Sequence, residues 1–159
     1  MTMESAEADM ALDVRLLSSP FDPNPEIEAF ALAHPEAGGI ATFVGKVRNA
    51  DGVEALELAH YAPLTLPGME ELGRQAMARW PVLGLLIVHR TGLLYPGEPI
   101  VAVSAAARHR RDALIVVDFA MDHLKSQSWF WKREKTAGEW RWIEPRAVDF
   151  EDLERWAQA

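Results

Sequence analysis

The segment Lys125-Ser-Gln-Ser-Trp-Phe-Trp-Lys-Arg-Glu-Lys135 decides the fold, because it marks the place where a helix gives way to a β-hairpin. Before it, apolar residues recur at helical spacing and predict one long helix over 110–126. After it, 129–135 and 139–143 alternate around a turn at 136–138, which predicts an antiparallel pair of strands. A long helix that leads into a hairpin indicates an α+β protein rather than a doubly wound parallel sheet.

A second hairpin is predicted earlier in the chain. Two alternating segments, 40–48 and 53–61, are separated by a turn at 49–52. This pattern predicts that the two strands pair with each other, with Lys46 and Arg48 near the tip. The two cations are either exposed hairpin charges or a site for a phosphate.

The remaining predicted elements are a mixture of strands and helices. Gly45 predicts a bulge or a close approach to a neighbouring element, and residues 62–67 are predicted to be irregular. The other predictions are strands over 14–18, 83–91 and 100–105 and helices over 26–33, 69–80 and 149–157.

Length and hydropathy indicate one domain. The chain has 159 residues, of which 49% are hydrophobic, enough for a real core. Residues 12–159 are predicted to form this domain, behind a disordered acidic leader over 1–11. The start has no signal-peptide pattern, and no apolar run approaches the roughly 20 residues of a membrane span. We therefore expect a cytoplasmic protein that does not interact with membranes.

The formal charge of −8 is unevenly distributed. Residues 1–36 hold eight acidic side chains and one basic one, so the rest of the chain is nearly neutral. Residues 108–146 hold nine Lys or Arg and six Asp or Glu. An acidic protein with one basic region suits a small anionic ligand better than a nucleic acid, which requires a broad basic face.

The chain contains no cysteine. This excludes disulfides, thiolate metal sites and cysteine nucleophiles, so any sulfur that the protein handles is carried by another molecule. The histidines lack metal-ligand spacing, and we expect no metal. No GxSxG motif and no glycine-rich phosphate loop occur.

Lys125 and Lys132 are the candidate catalytic residues. A lysine acts as a nucleophile or as an acid/base when burial or a neighbouring cation lowers its pKa. The aromatic run 129–131 is suited to excluding water from the pair, and Arg133 places a cation beside Lys132. Two alternatives remain open: Lys125 is a solvated helix-end cation paired with Asp122, or Lys132 protects a strand edge.

His109 and Arg110 lie where a strand meets the long helix. Backbone amides at a helix start, together with arginines, suit an anion, although a solvated basic helix start is the alternative. If 109–125 is helical, a rise of 1.5 Å per residue separates His109 from Lys125 by roughly 24 Å. Either only one of them belongs to the site, or a second subunit completes it.

Several motifs together resemble the catalytic (large) subunit of molybdopterin synthase. The resemblance covers about 38–146 and is most specific in two lysines, Lys125 and Lys132, that six residues separate, the second of them within Trp-Lys-Arg-Glu. The motifs are Gly45-Lys-Val-Arg-Asn49, His89-Arg-Thr-Gly92, Tyr95-Pro-Gly-Glu98, His109-Arg110, Met121-Asp-His-Leu-Lys125, Phe130-Trp-Lys-Arg-Glu134 and Arg141-Trp-Ile-Glu-Pro-Arg146.

The resemblance implies an α/β-hammerhead core with an additional antiparallel β subdomain. It also implies a homodimer within a heterotetramer, in which small ubiquitin-like carriers insert Gly-Gly tails that end in a thiocarboxylate. The implied reaction transfers sulfur to cyclic pyranopterin monophosphate and forms the dithiolene of molybdopterin. The pterin is a substrate, so no cofactor is expected.

The resemblance also assigns residues to this reaction. Lys125 and Lys132 would be catalytic, and the His-Arg pair would come from the neighbouring subunit. The residues implied to contact the substrate are Lys46, Val47, Arg48, His109, Arg110, Lys125, Lys132, Arg133, Glu134 and Arg146. The alternative function is a non-catalytic module that binds a ubiquitin-like partner through its aromatic strand.

Overall fold

The computed structural model describes residues 11–126 and 129–158. Its strands are β1 (Leu12–Leu17), β2 (Gly39–Lys46), β3 (Val53–His60), β4 (Val82–Arg90), β5 (Gly92–Leu94), β6 (Pro99–Ala107), β7 (Phe130–Thr136) and β8 (Glu139–Ile143). Its α-helices are α1 (Pro23–Ala33), α2 (Ala62–Arg79), α3 (Arg110–Ser126) and α4 (Ala147–Glu154), and a 3-10 helix (Arg155–Gln158) follows. Within these described ranges, no helix is both long and apolar enough to cross a membrane.

The first sheet has the strand order β1-β4-β6-β2, with β1 parallel to β4 and the other neighbours antiparallel. Its central strands β4 and β6 are nearly continuous apolar runs and are buried on both faces. Helices α2 and α3 cover one face, and α1 covers the other through Phe30. β2 is an edge strand, where Ile40 and Phe43 are about 40% exposed.

The second sheet has the order β5-β3-β7-β8 and is antiparallel throughout. It has its own small core of Leu56, Leu58 and Leu94, against which Phe130 packs. Because β7 and β8 form the hairpin expected after the long helix, the prediction of an α+β fold with an additional antiparallel sheet is confirmed. The helix α3 has the bounds that periodicity predicted.

The predicted hairpin between 40–48 and 53–61 is wrong. β2 pairs with β6 in the first sheet, whereas β3 pairs with β5 and β7 in the second. The turn itself exists, since Asp51 has a φ of 58°. However, the segment before this turn is bonded to the β5–β6 turn. Val47 N–H donates to Glu98 O at 3.0 Å, and Gly97 N–H donates to Val47 O at 2.8 Å.

The glycine in β2 behaves as predicted. The register of the β2–β6 pair shifts between Gly45 and Lys46. A Cβ at Gly45 would lie 2.8 Å from Val101 Cγ1, so a larger residue would push the two strands apart. Both the bulge and the close approach are therefore present.

The predicted irregular segment 62–67 is also wrong, because helix α2 begins at Ala62. Pro63 lies in the first turn, where a missing N–H costs nothing. Pro67 lies inside the helix, where proline removes a hydrogen bond. The helix persists because Thr65 is fully buried and its hydroxyl donates to Trp129 O at 3.0 Å, which ties this turn to the segment before β7.

Candidate active site

The structure brings Lys125 and Lys132 together at the junction of the two sheets. Lys125 lies in the last turn of α3 and Lys132 lies in β7, and both side chains are exposed along much of their length. Partial burial of its ammonium group lowers the pKa of Lys132, and the charge of Glu134 opposes this effect. Lys125 and Arg48 lower the same pKa further, while Asp149 raises it.

Four other charged groups lie near enough to Lys132 for their charges to shift its pKa. We call Arg48, Lys125, Lys132, Glu134 and Asp149 the lysine cluster. Three of its members are basic and two are acidic. Such a cluster is suited to holding an anion, and burial beside other cations shifts Lys132 toward its neutral form.

Strand alternation places Lys132 and Glu134 on the inner face of the second sheet. Lys132 is paired in register with Leu58, and Glu134 with Leu56, both of which belong to the small core. Phe130, two residues earlier on the same face, stacks on His89 with ring centroids 4.1 Å apart. The strand therefore places the charged groups of Lys132 and Glu134 beside the apolar side chains of the small core.

The aromatic run excludes water only in part as predicted. Trp129 packs against the main core and against Gly68, and Phe130 is stacked on His89. Trp131, however, is 50% exposed. It faces away from Lys132, because consecutive residues of a strand point to opposite faces.

Arg133 lies on the same outer face as Trp131. Its guanidinium forms two hydrogen bonds with the Glu57 carboxylate, at 2.9 and 3.0 Å, and lies 4.5 Å from the centroid of Trp140. The structure therefore does not bring Arg133 together with Lys132 within this chain. Sequence proximity grouped the two residues, whereas the period of a strand separates them.

The segment after β2 brings Arg48 to the cluster. Val47 is buried in the small core, and both of its backbone groups are bonded to the β5–β6 turn. Lys46 and Arg48 flank it and are exposed. Val47 thus anchors the segment, and Arg48 is the member of this group whose charge reaches Lys132.

Asp149 was not selected from the sequence as a site residue. Burial alone would raise its pKa, but hydrogen bonds from Arg146 and the charges of Arg146 and Lys125 lower it. Arg146 is the N-cap of α4 and Asp149 is its third helical residue. The Asp149 carboxylate accepts the backbone N–H of Arg146 at 3.0 Å, and the Asp149 N–H donates to the Arg146 carbonyl at 3.0 Å. This spacing was the available sequence signal. It also places Arg146, which is exposed, at the edge of the cluster.

The alternative pairing of Lys125 with Asp122 is not found among the described contacts. Asp122 instead accepts hydrogen bonds from Arg155 and from Trp156 Nε1, the latter at 2.7 Å. These bonds fix the 3-10 helix after α4 against α3. Asp122 is therefore part of the anchor of the C-terminal segment.

His109 and Arg110 lie at the opposite end of α3 from the cluster. Both are exposed, and the carbonyl of His109 accepts the N–H of Asp112 at 3.2 Å. Gly39 packs closely on this helix start, since a Cβ there would lie 3.2 Å from Arg110 Cα. With α3 helical throughout, the spacing of roughly 24 Å from Lys125 holds, so one chain does not bring the two groups together.

The buried histidine near the site has a packing role. His89 is 7% exposed, and its ring nitrogen Nδ1 is 2.7 Å from the carbonyl of Arg90. Burial lowers its pKa to about 4, so the ring is neutral at neutral pH. In the part of the chain that the structure describes, no three His, Asp or Glu side chains are placed to hold a metal ion.

Fold and site define a class: an α+β protein with a cluster of lysine and arginine side chains between a mixed sheet and an antiparallel one. Comparison with known proteins gives the family, since residues 16–127 match the model of the MoaE protein family. The chain belongs to this family.

Individual relatives agree with this assignment. A molybdopterin synthase catalytic subunit from Caulobacter vibrioides is 42% identical over 91% of this chain and 97% of its own length. The solved MoaE protein from Burkholderia ambifaria MC40-6 is 40% identical, with a TM-score of 0.78 over 92% of this chain and 98% of that one. A molybdopterin synthase structure from Staphylococcus aureus is 25% identical, with a TM-score of 0.71 over 81% and 95% of the two chains.

Proposed function

We propose that this chain is the catalytic subunit of a molybdopterin synthase, a cytoplasmic sulfurtransferase of molybdenum cofactor biosynthesis. The observation that carries the proposal is the lysine cluster, in which Lys125 and Lys132 arrive from different elements of a MoaE family member. The proposed substrate, cyclic pyranopterin monophosphate, is an anion, as the cluster requires. The curated relatives with the same architecture carry the name of this subunit.

The missing cysteine supports a sulfur donor on another protein. A sulfurtransferase that uses its own persulfide requires a thiol, and this chain has none. The word subunit in the relatives' name implies a partner. We infer that the partner is a small ubiquitin-like carrier, whose Gly-Gly tail ends in a thiocarboxylate and reaches the lysine cluster.

The chemistry is redox-neutral in each sulfur transfer. The thiocarboxylate sulfur forms a bond to a side-chain carbon of the pterin as a carbon–oxygen bond of that carbon breaks, and the oxygen leaves as water or as a phosphate oxygen. A second water then hydrolyses the resulting thioester between this sulfur and the acyl carbon. The carrier leaves with an ordinary carboxylate, and the sulfur stays on the pterin. Two such transfers give the dithiolene.

The residues of the cluster have distinct roles in this proposal. Lys132, whose pKa is lowered, exchanges the proton, and Lys125 polarises the thioacyl carbon or contacts it covalently. Arg48 holds the phosphate, with Lys46 and Arg146 beside it at the edge. Val47 anchors the backbone of the segment that carries Arg48, and Glu134 positions Lys132 on the same face of β7.

The pocket is completed by a second copy of the chain in this proposal. His109 and Arg110 of one copy would meet Lys125 of the other, which accounts for their separation within one chain. The assembly would be a homodimer with one carrier on each copy. Arg133 fixes β7 through its ion pair with Glu57 on the outer face of the strand.

The test is reconstitution with thiocarboxylated carrier and cyclic pyranopterin monophosphate, followed by an assay for molybdopterin. We expect the wild type to form product and Lys125→Ala to be slower by at least about a hundredfold. Lys135→Ala is the matched control, because Lys135 lies in the same strand but on the outer face, 4.0 Å from Glu54. If wild-type protein binds the carrier and forms no product, the non-catalytic module is the better description.

A further inference from the structure

The carboxylate of Asp149 is largely covered, with 11% of its side chain exposed. Its Oδ2 accepts the backbone N–H of Arg146 at 3.0 Å, and its Oδ1 accepts Arg146 Nη2 at 3.1 Å. A third contact joins Arg146 Nε to Oδ2 at 3.4 Å. These bonds fix the orientation of the carboxylate.

The backbone of Asp149 is also tied to helix α3. The hydroxyl of Ser126 donates to the Asp149 carbonyl at 2.9 Å, and both residues are buried. Ser126 is the last residue of α3 and directly follows Lys125. The start of α4 is thus bonded to the end of the helix that presents the lysine.

The charge of Asp149 lies among the groups of the proposed site. Arg146 is ion-paired with it at 3.1 Å, and Lys125 on α3 and Lys132 on β7 lie near enough for their charges to couple with it. The groups that face Lys132 in turn are Glu134 from its own strand, Lys125 from α3, Arg48 from the segment after β2 and Asp149 from α4.

We propose that Asp149 is a positioning residue of the lysine site: its buried carboxylate, oriented by Arg146, places a fixed negative charge beside Lys125 and Lys132, and its carbonyl ties α4 to α3. This inference rests on the proposed function. It accounts for a negative charge that offsets the repulsion among the three cations of the lysine cluster. It also accounts for the packing of α4 against the end of α3.

A helix cap alone does not account for this arrangement. An N-terminal capping residue stabilises a helix by about 1 kcal/mol in exposed positions, and it needs neither burial nor contact with another helix. Asp149 has both, and it adds coupling to two lysines. Capping is therefore one part of its role, and the placement of charge is the other.

The experiment compares Asp149→Asn with the matched control Glu151→Gln, which removes an exposed carboxylate from the same helix. The rate of molybdopterin formation is measured between pH 6 and 10 (roughly the range that brackets lysine titration at such sites), and the Lys132 ammonium is titrated by NMR in the same proteins. We expect Asp149→Asn to lower kcat by about tenfold or more. The pH profile and the Lys132 titration should both move to lower pH, because a negative charge that favours the ammonium form is gone.

Several outcomes overturn the proposal. One is a wild-type kcat in Asp149→Asn, and another is a loss of thermal stability with an unmoved pH profile and Lys132 titration, which would leave only a cap. If Asp149→Asn does not fold, Ser126→Ala removes the hydrogen bond to the Asp149 carbonyl and keeps every charge. We expect this variant to lower kcat about fivefold. A wild-type kcat would show that this hydrogen bond does not position the site. A wild-type enzyme without product would defeat the proposed function, whereas the NMR titration still decides the role of Asp149.

Discussion

At the scale of single residues, His89 shows that the residues packed beneath the lysine cluster are uncharged. Its ring is stacked on Phe130 with an interplanar angle of 15°, directly behind the strand that carries Lys132. A charged imidazole there would be buried without a counter-ion and would add to the positive charge of the cluster. Burial keeps its pKa at about 4, which avoids both costs at neutral pH.

This buried histidine predicts an acid-dependent loss of stability. Because the pKa of His89 is lower in the folded protein than in the unfolded chain, its contribution is intact above pH ~6.5 and is lost as the pH falls toward 4. The full difference is worth about 3 kcal/mol. Urea unfolding at pH 7, 5.5 and 4.5 should show a steeper decline for the wild type than for His89→Phe, which keeps an aromatic ring on Phe130. Parallel declines would contradict this prediction.

Residue types in the sequence identified the candidate site residues, and the period of the strand determined which of them lie on the same face. Lys125 and Lys132 were predicted from the concentration of indole and charge around them, and the structure places them together. Arg133 was grouped with them by adjacency, although a period of two in a strand already points neighbours to opposite faces. Asp149 required tertiary information, because an arginine three residues before an aspartate does not show which other helix will pack against that aspartate.

At the scale of elements, the packing of α2 against the segment before β7 links the core to the site. Thr65 donates to the Trp129 carbonyl, and Gly68 leaves room for the Trp129 ring. This contact is long-range, so local sequence gave no reason to continue the helix through Pro67. Periodicity predicted the elements whose apolar faces are regular, such as α3, and failed where a distant partner holds the backbone.

The same contact predicts an unusual response to a glycine-to-alanine change. In an exposed helix, this substitution stabilises by about 1 kcal/mol. At Gly68 a Cβ would lie 2.4 Å from Trp129 Nε1, a rigid ring atom, so we expect Gly68→Ala to destabilise by about 1–3 kcal/mol and to lower activity by displacing the start of β7.

Gly73→Ala is the control, because its Cβ would meet Leu12 Cδ1 at 2.6 Å, the end of a flexible side chain that is able to rotate away. Thermal and urea unfolding of both variants measure the difference. A Gly68→Ala protein that is as stable as Gly73→Ala would show that the Trp129 ring yields easily.

At the scale of the whole molecule, strand pairing was the part that the sequence did not determine. β2 and β3 are consecutive in the chain, yet they belong to different sheets. A turn signal specifies a reversal but not a partner, and β2 pairs with β6 along its whole length, where Gly45 lies close to Val101. The class of fold was predictable because the order of elements, with a hairpin after the long helix, already excluded a doubly wound sheet.

Helix length also makes a prediction about assembly. If His109 and Arg110 of one copy complete the lysine cluster of the other, a dimer that combines a Lys125→Ala copy with an Arg110→Ala copy has one doubly defective site and one intact site. Each homodimer should be nearly inactive on its own. Co-expression with two different tags allows the mixed dimer to be isolated, and its molybdopterin synthesis should reach about half the wild-type value. Unfractionated mixtures with random pairing should reach about a quarter. If the isolated mixed dimer is as inactive as its parents, both residues act within one copy, and the composite site is wrong.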